Sequence, residues 1–91
     1  MEKPLDRHLE ELMSTPGVTG VVCADTKGLC LAAKGVGERA SSGLFSSIAQ
    51  QAAQLHPDSK TSPVVCLETD QSMILLKNHN SVTTAIHKTL S

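Results

Sequence analysis

Residues 18–35 read VTGVVCADTKGLCLAAKG, and this stretch decides the fold. Two runs of small and β-branched residues, Val18 to Ala24 and Leu29 to Gly35, flank Asp25-Thr26-Lys27-Gly28. Asp at the first turn position and Gly at the fourth suit a type I turn closed by a left-handed glycine bulge, a common hairpin connection. In the first strand Val18, Gly20, Val22 and Ala24 take one face, while Thr19, Val21 and Cys23 take the other. Neither face is strongly polar. A sheet with one wet face would alternate apolar and charged residues, so this hairpin is expected to be covered on both sides.

Before the hairpin, Lys3 to Ser14 reads as an amphipathic helix, with Leu5, Leu9, Leu12 and Met13 on one stripe. Pro4 suits the first turn, where its missing N–H costs nothing, and Glu2 and Asp6 suit the positive end of the helix dipole. Pro16-Gly17 ends the helix. After the hairpin, Gly35 to Arg39 reads as a loop and Ala40 to His56 as a second helix, stopped by Pro57. Pro63 to Thr69, Met73 to Lys77 and Ser81 to Thr89 read as strands, separated by the turn compositions Asp70-Gln71-Ser72 and Asn78-His79-Asn80. The expected order is α-β-β-α-β-β-β, an α+β domain spanning residues 1–91.

Composition narrows the function. Phe45 is the only aromatic residue of 91, so the stacking platforms of a single-strand nucleic-acid binder and the rings of a methyl-ammonium cage are missing. A net charge of -1 gives no broad attraction to phosphate backbones. The charged start MEKPLDRHLEEL has no signal-peptide core, no apolar run is long enough to span a bilayer, and the common lipidation signals are absent. Cys23, Cys30 and Cys66 form an odd set without a CxxC pair, which reads as reduced thiols in a cytosolic protein.

The second helix carries more apolar surface than one sheet face needs. Ala40, Leu44, Phe45, Ile48, Ala49, Ala52, Ala53 and Leu55 fall within an arc of roughly 220°, against about 100° for one buried stripe. Either the first helix and the loops fill the excess, or a partner's helix covers it. The thin core expected of so short a chain favours the partner. Phe45 is the aromatic anchor, and Ala49 and Ala53 are small enough to admit a second helix closely. On this reading Ala49→Asp or Ala53→Asp abolishes pairing.

Catalytic chemistry finds little support. Cys23 and Cys30 are candidates for a thiol pair across the hairpin, but free cysteines are most often buried as small hydrophobes. His8, His56, His79 and His87 fall in no metal-binding spacing, no GxSxG elbow is present, and Asp25 to Gly28 lacks the order of a phosphate loop. No cofactor, metal or enzymatic activity is expected. A thiol-dependent redox protein and a small-ligand sensor remain as alternatives.

Several stretches resemble the roadblock (dynein light-chain) family, and within it the family of fifth subunits of the Ragulator (LAMTOR) complex. They are His8-Leu9-Glu10, Gly20-Val21-Val22-Cys23 through Asp25 to Gly28-Leu29, Ala49-Gln50-Gln51-Ala52-Ala53, Pro63-Val64-Val65-Cys66-Leu67-Glu68 and Ala85-Ile86-His87-Lys88. The resemblance implies a roadblock-like five-stranded antiparallel sheet between two helices, without the C-terminal helix of general members. It implies a non-catalytic scaffold pairing through second helices and third strands with another roadblock-type Ragulator subunit, the fourth, inside a pentamer. That assembly would hold Rag GTPases at the cytosolic face of the lysosome and support amino-acid signalling to the mTOR kinase complex, its membrane contact being indirect. It further implies anti-apoptotic binding to survivin and to a viral X protein. Carried onto this chain, the expected interface is Phe45, Ala49, Ala52, Ala53 and His56 on the helix, with Val64, Cys66 and Glu68 on the edge strand.

Overall fold

The structure, a computed structural model, describes residues 4–36, 41–55, 57–58, 63–79 and 81–89. Helix α1 (Pro4–Met13) leads into β1 (Val18–Ala24) and β2 (Cys30–Gly35), followed by α2 (Ser42–Ala53), β3 (Val65–Glu68), β4 (Ser72–His79) and β5 (Val82–Thr89). The strands form one antiparallel sheet in the order β2-β1-β5-β4-β3, so the first and last strands meet at its centre.

Local chemistry accounts for the hairpin. The Asp25 carboxylate accepts from the backbone N–H groups of Lys27 and Leu29, both at 2.9 Å, and Gly28 N–H donates to Asp25 C=O at 3.0 Å. Gly28 has φ 88, the left-handed conformation that the bulge requires. Pairing then runs from Cys23↔Ala32 to Ala24↔Cys30, which leaves Leu31 as the extra residue.

Element ends differ from the sequence reading for identifiable reasons. β3 is shorter than Pro63 to Thr69, because Pro63 has no N–H for a ladder and Thr69 closes the next turn through its hydroxyl and Ser72. β4 is longer at both ends, reaching His79, which pairs with Val82 beside Ser81 at φ 66. Helix α2 runs from Ser42 to Ala53, and Gln54 and Leu55 continue as a turn; the expected ends at Ala40 and His56 lie outside the described residues.

Both sheet faces are covered over β1, as the hairpin's two apolar faces require. Toward α1 lie Leu9, Val21, Cys23 and Ala32, with Leu12, Met13, Val18 and Val82 packed around them. Toward α2 lie Val22, Phe45, Leu76 and Ala85, with Cys30, Ala33, Ile48, Val65 and Ile74. The Phe45 ring meets His87 edge to face, with centroids 5.7 Å apart. Leu76 is wholly buried under α2. Leu76→Ala is expected to cost about 2–5 kcal/mol, read as a lower urea midpoint at unchanged slope.

Candidate interaction surface

Three polar side chains fix how α2 lies on the sheet. Ser42 Oγ donates to Gly28 C=O at 2.7 Å, Ser46 Oγ to Asp25 C=O at 2.8 Å, and Gln50 Nε2 to Thr26 C=O at 2.9 Å. Spaced four residues apart, they form one row along the helix, and the row closes on the carbonyls of the β1–β2 turn. Gln50 Nε2 also donates to Ser46 Oγ at 2.9 Å. The approach is close enough that a Cβ added at Gly28 would lie 2.9 Å from Gly43 Cα. Ser42 and Ser46 are buried, while Gln50 stays exposed at the end of the row.

This row settles which sector of α2 faces away. Phe45 and Ala49 turn into the chain's own core, at 8% and 4% exposure. They were expected at the contact with a partner; within the protomer they are covered by the chain's own sheet, with the buried Ser42 and Ser46 beside them. For the same reason Ala49→Asp now tests folding of the protomer, not pairing. Outward sits a different row. Leu44 is 67% exposed, Ile48 and Ala52 are half-buried, and Leu55, in the turn beyond, is 77% exposed. Ala53 is half-buried on the inner flank, and His56 lies outside the described residues.

The outer row lies on the flank opposite the β1–β2 turn, and its Ile48 packs against the cluster of Val22, Phe45, Leu76 and Ala85, as Ile74 and Val65 also do. The sheet ends in β3, whose Cys66, Leu67 and Glu68 are exposed, as is Val64 just before it. The two sheet edges are built differently. On β2 the Leu31 bulge and Lys34, paired with Glu10 at 3.8 Å, blunt the edge against further strands. β3 is paired in register along its whole length with β4 and carries neither a bulge nor a lysine; its four-residue length, the preceding Pro63 and the exposed Glu68 are what limit its edge. Exposed apolar side chains on the helix flank and on the edge strand leave apolar surface that the protomer's own elements do not cover.

The thiols are placed for packing. Cys23 lies opposite Ala32 on the α1 face, whereas Cys30 lies opposite Ala24 on the α2 face, so the sheet separates them. Burial pushes the Cys23 thiol above its ordinary pKa, a contact with Thr84 Oγ1 at 3.7 Å offsets this in part, and Cys30 adds to the rise. A nucleophilic thiol needs the opposite shift. Among the described residues no group of His, Cys, Asp and Glu is arranged to hold a metal ion. Two surface clefts are present. One of about 340 Å³ lies beside the polar row and is lined by Thr26, Lys27, Ser47, Gln50 and Gln54. The other, of about 380 Å³, is lined by His8, Leu12, Lys77, His79, Thr84 and Ile86.

The family profile of Ragulator complex protein LAMTOR5 matches residues 1–88. The chain belongs to the Ragulator complex protein LAMTOR5 family. A LAMTOR5 homolog of Nematostella vectensis is 47% identical over 88 residues, covering 97% of each chain. The LAMTOR5 of Xenopus tropicalis is 40% identical over the full length of both. In three dimensions the LAMTOR5-family chain is similar to the Roadblock/LC7 domain of Streptomyces avermitilis, with TM-score 0.77, 18% identity, and 96% of this chain against 79% of that one. It is also similar to Myxococcus xanthus MglB, with TM-score 0.78, 12% identity, and 99% against 75% coverage. These neighbours bear out the roadblock-like α+β architecture. No described helix of this LAMTOR5-family chain is long and apolar enough to cross a membrane.

Two outcomes test this geometry. Gly28→Ala is expected to cost about 1–3 kcal/mol in urea unfolding, because an alanine must take a left-handed backbone and push against Gly43. With a thiol reagent on the native protein, Cys66 is expected to react at the rate of a free thiol and Cys23 only as fast as the fold opens. Because the folded Cys23 pKa is raised, its contribution to stability is full below the ordinary thiol value of about 8.5 and is lost as pH climbs through the raised value. Cys23→Ala should flatten that alkaline decline.

Proposed function

We propose that this protein is a non-catalytic scaffold subunit of the Ragulator complex. It pairs with another roadblock-type subunit, the fourth, through the outer flank of α2 and the open edge of β3. The pair sits in a pentamer that holds Rag GTPases at the cytosolic face of the lysosome and supports amino-acid activation of the mTOR kinase complex. Its contact with the membrane runs through partners.

The observation that carries this reading is the exposure of apolar side chains both on the Leu44–Ile48–Ala52–Leu55 row of α2 and on the edge strand. Leu44, Leu55, Val64 and Leu67 are large apolar side chains left exposed there. Burying such groups stabilises by about 1.5–3 kcal/mol each, so four together supply the driving force of a stable pair. Ala52, Ala53, Val64, Cys66 and Glu68 belong to this contact, and Phe45 and Ala49 support it from within the core. Family membership supports the choice of a Ragulator subunit as partner.

The test is co-expression with the roadblock-type partner and measurement of the pair's dissociation constant. Leu44→Asp and Leu67→Asp each place a carboxylate in the covered contact and are expected to weaken pairing at least tenfold, about 1.4 kcal/mol, while the protomer's own unfolding midpoint stays put. Ala49→Asp should instead lower the midpoint of the protomer alone. Full-strength pairing of both leucine variants would contradict the proposal.

A further inference from the structure

On the face of the sheet away from α2, helix α1 rests mainly on β1 and β2, where Leu9 meets Val21, Cys23 and Ala32. Val82 of β5 belongs to the same face, and alternation along that strand adds Thr84 and Ile86. Lys77 stands opposite Thr84 and His79 opposite Val82, so the end of β4 contributes both side chains to this face. β3 reaches only as far as Leu76, and β4 runs on past it to His79.

Between the flank of α1 and this end of the sheet lies the cleft of about 380 Å³. His8 and Leu12, one helical turn apart, form its α1 wall. Thr84 and Ile86 form the floor, and Lys77 and His79 the far rim.

The chemistry of the cleft is one-sided. Leu12 and Ile86 are half-buried apolar groups, and the exposed side chains around them are one lysine and two histidines, drawn from two separate elements. Among the described residues that line it there is no carboxylate. Glu10 of α1 is turned away, toward Lys34 of β2 at 3.8 Å. Thr84 adds a neutral donor. Its Oγ1 lies 3.7 Å from Cys23 Sγ, and burial keeps that thiol protonated, so the sulfur can donate and leave the Thr84 O–H for a ligand.

We propose that this cleft is a binding site for a small amphipathic anion, a monocarboxylate carried on a short hydrocarbon chain. The carboxylate sits at the rim, where Lys77 supplies the countercharge and His8, His79 and Thr84 donate N–H or O–H. The hydrocarbon lies on Leu12 and Ile86. The volume falls within the roughly 300–1,000 Å³ of small-ligand sites, and an apolar bed with a few convergent polar groups is their usual construction. Inorganic phosphate would reach the rim and leave the bed wet. A neutral alcohol of the same chain length would cover the bed and leave the rim without an anion. The site faces away from α2 and lies past the end of β3, so the pairing proposed above neither builds it nor needs it.

The experiment titrates the full chain with sodium octanoate and follows backbone amide shifts by NMR, with 1-octanol and inorganic phosphate as separate probes. Saturable shifts centred on Leu12, Thr84 and Ile86 are expected, with octanoate binding about tenfold or more tighter than either other probe. Lys77→Glu changes an exposed side chain and is expected to weaken octanoate by about tenfold or more at an unchanged unfolding midpoint. Lys27→Glu makes the same charge change on the distant β1–β2 turn and is expected to leave the affinity within about twofold. Equal affinity for octanoate and 1-octanol, equal losses from the two lysine variants, or no saturable shift in the parent would overturn the proposal. So would co-sedimentation with phosphatidylserine vesicles in the absence of a saturable octanoate response, which would assign the rim to a membrane surface.

Discussion

The row of Ser42, Ser46 and Gln50 on the carbonyls of the β1–β2 turn is the constraint on which the rest of the surface depends. A helix resting on a sheet through apolar contacts alone has rotational freedom, because dispersion and burial are non-directional. Hydrogen bonds are directional, and two of these involve serines that are almost fully withdrawn from water. Turning α2 would strand those hydroxyls, at a cost of about 1–3 kcal/mol for each buried group left unsatisfied. The row therefore holds Phe45 and Ala49 on the sheet and leaves Leu44 and Leu55 outside. Gly28 permits the close approach, so a turn residue more than a dozen positions upstream helps to set which leucines α2 leaves exposed.

Much of the fold was legible because its determinants are local. Asp25 and Gly28 write the hairpin turn within four residues, and the two apolar faces of β1 announced layers on both sides. The excess of apolar surface on α2 was equally visible. Its direction was not. The partners of Ser42, Ser46 and Gln50 are backbone carbonyls 14, 21 and 24 residues away, beyond the reach of a local hydropathy pattern. The sequence reading put Phe45 and Ala49 at the expected contact, and the structure buries both in the protomer while Leu44 and Leu55 stay exposed. A row of short polar side chains at every fourth position, following a glycine-bearing turn, was the available clue. Strand order also lay beyond local pattern, since β1 and β5 meet across more than sixty residues of chain.

The edges of the sheet show how the same problem receives two treatments. Unpaired N–H and C=O groups must go to water or to another chain. On β2 a bulge and a lysine turn the edge toward water. On β3 the backbone groups of Val64, Cys66 and Glu68 stay open next to apolar side chains, an arrangement that would invite aggregation in a protein meant to remain alone. The proposed pairing would cover that edge. The thiol in its middle is exposed, in contrast to Cys23, whose burial keeps it protonated.

Backbone amide hydrogen exchange at Val64, Cys66 and Glu68, measured on the chain alone at low concentration and again in its roadblock pair, tests the central claim most directly. The account predicts rapid exchange at these three positions in the isolated chain and slowing by at least a hundredfold in the pair, with Val65 and Leu67 protected in both. Equal, rapid exchange at Val64, Cys66 and Glu68 in a fully formed pair would contradict it.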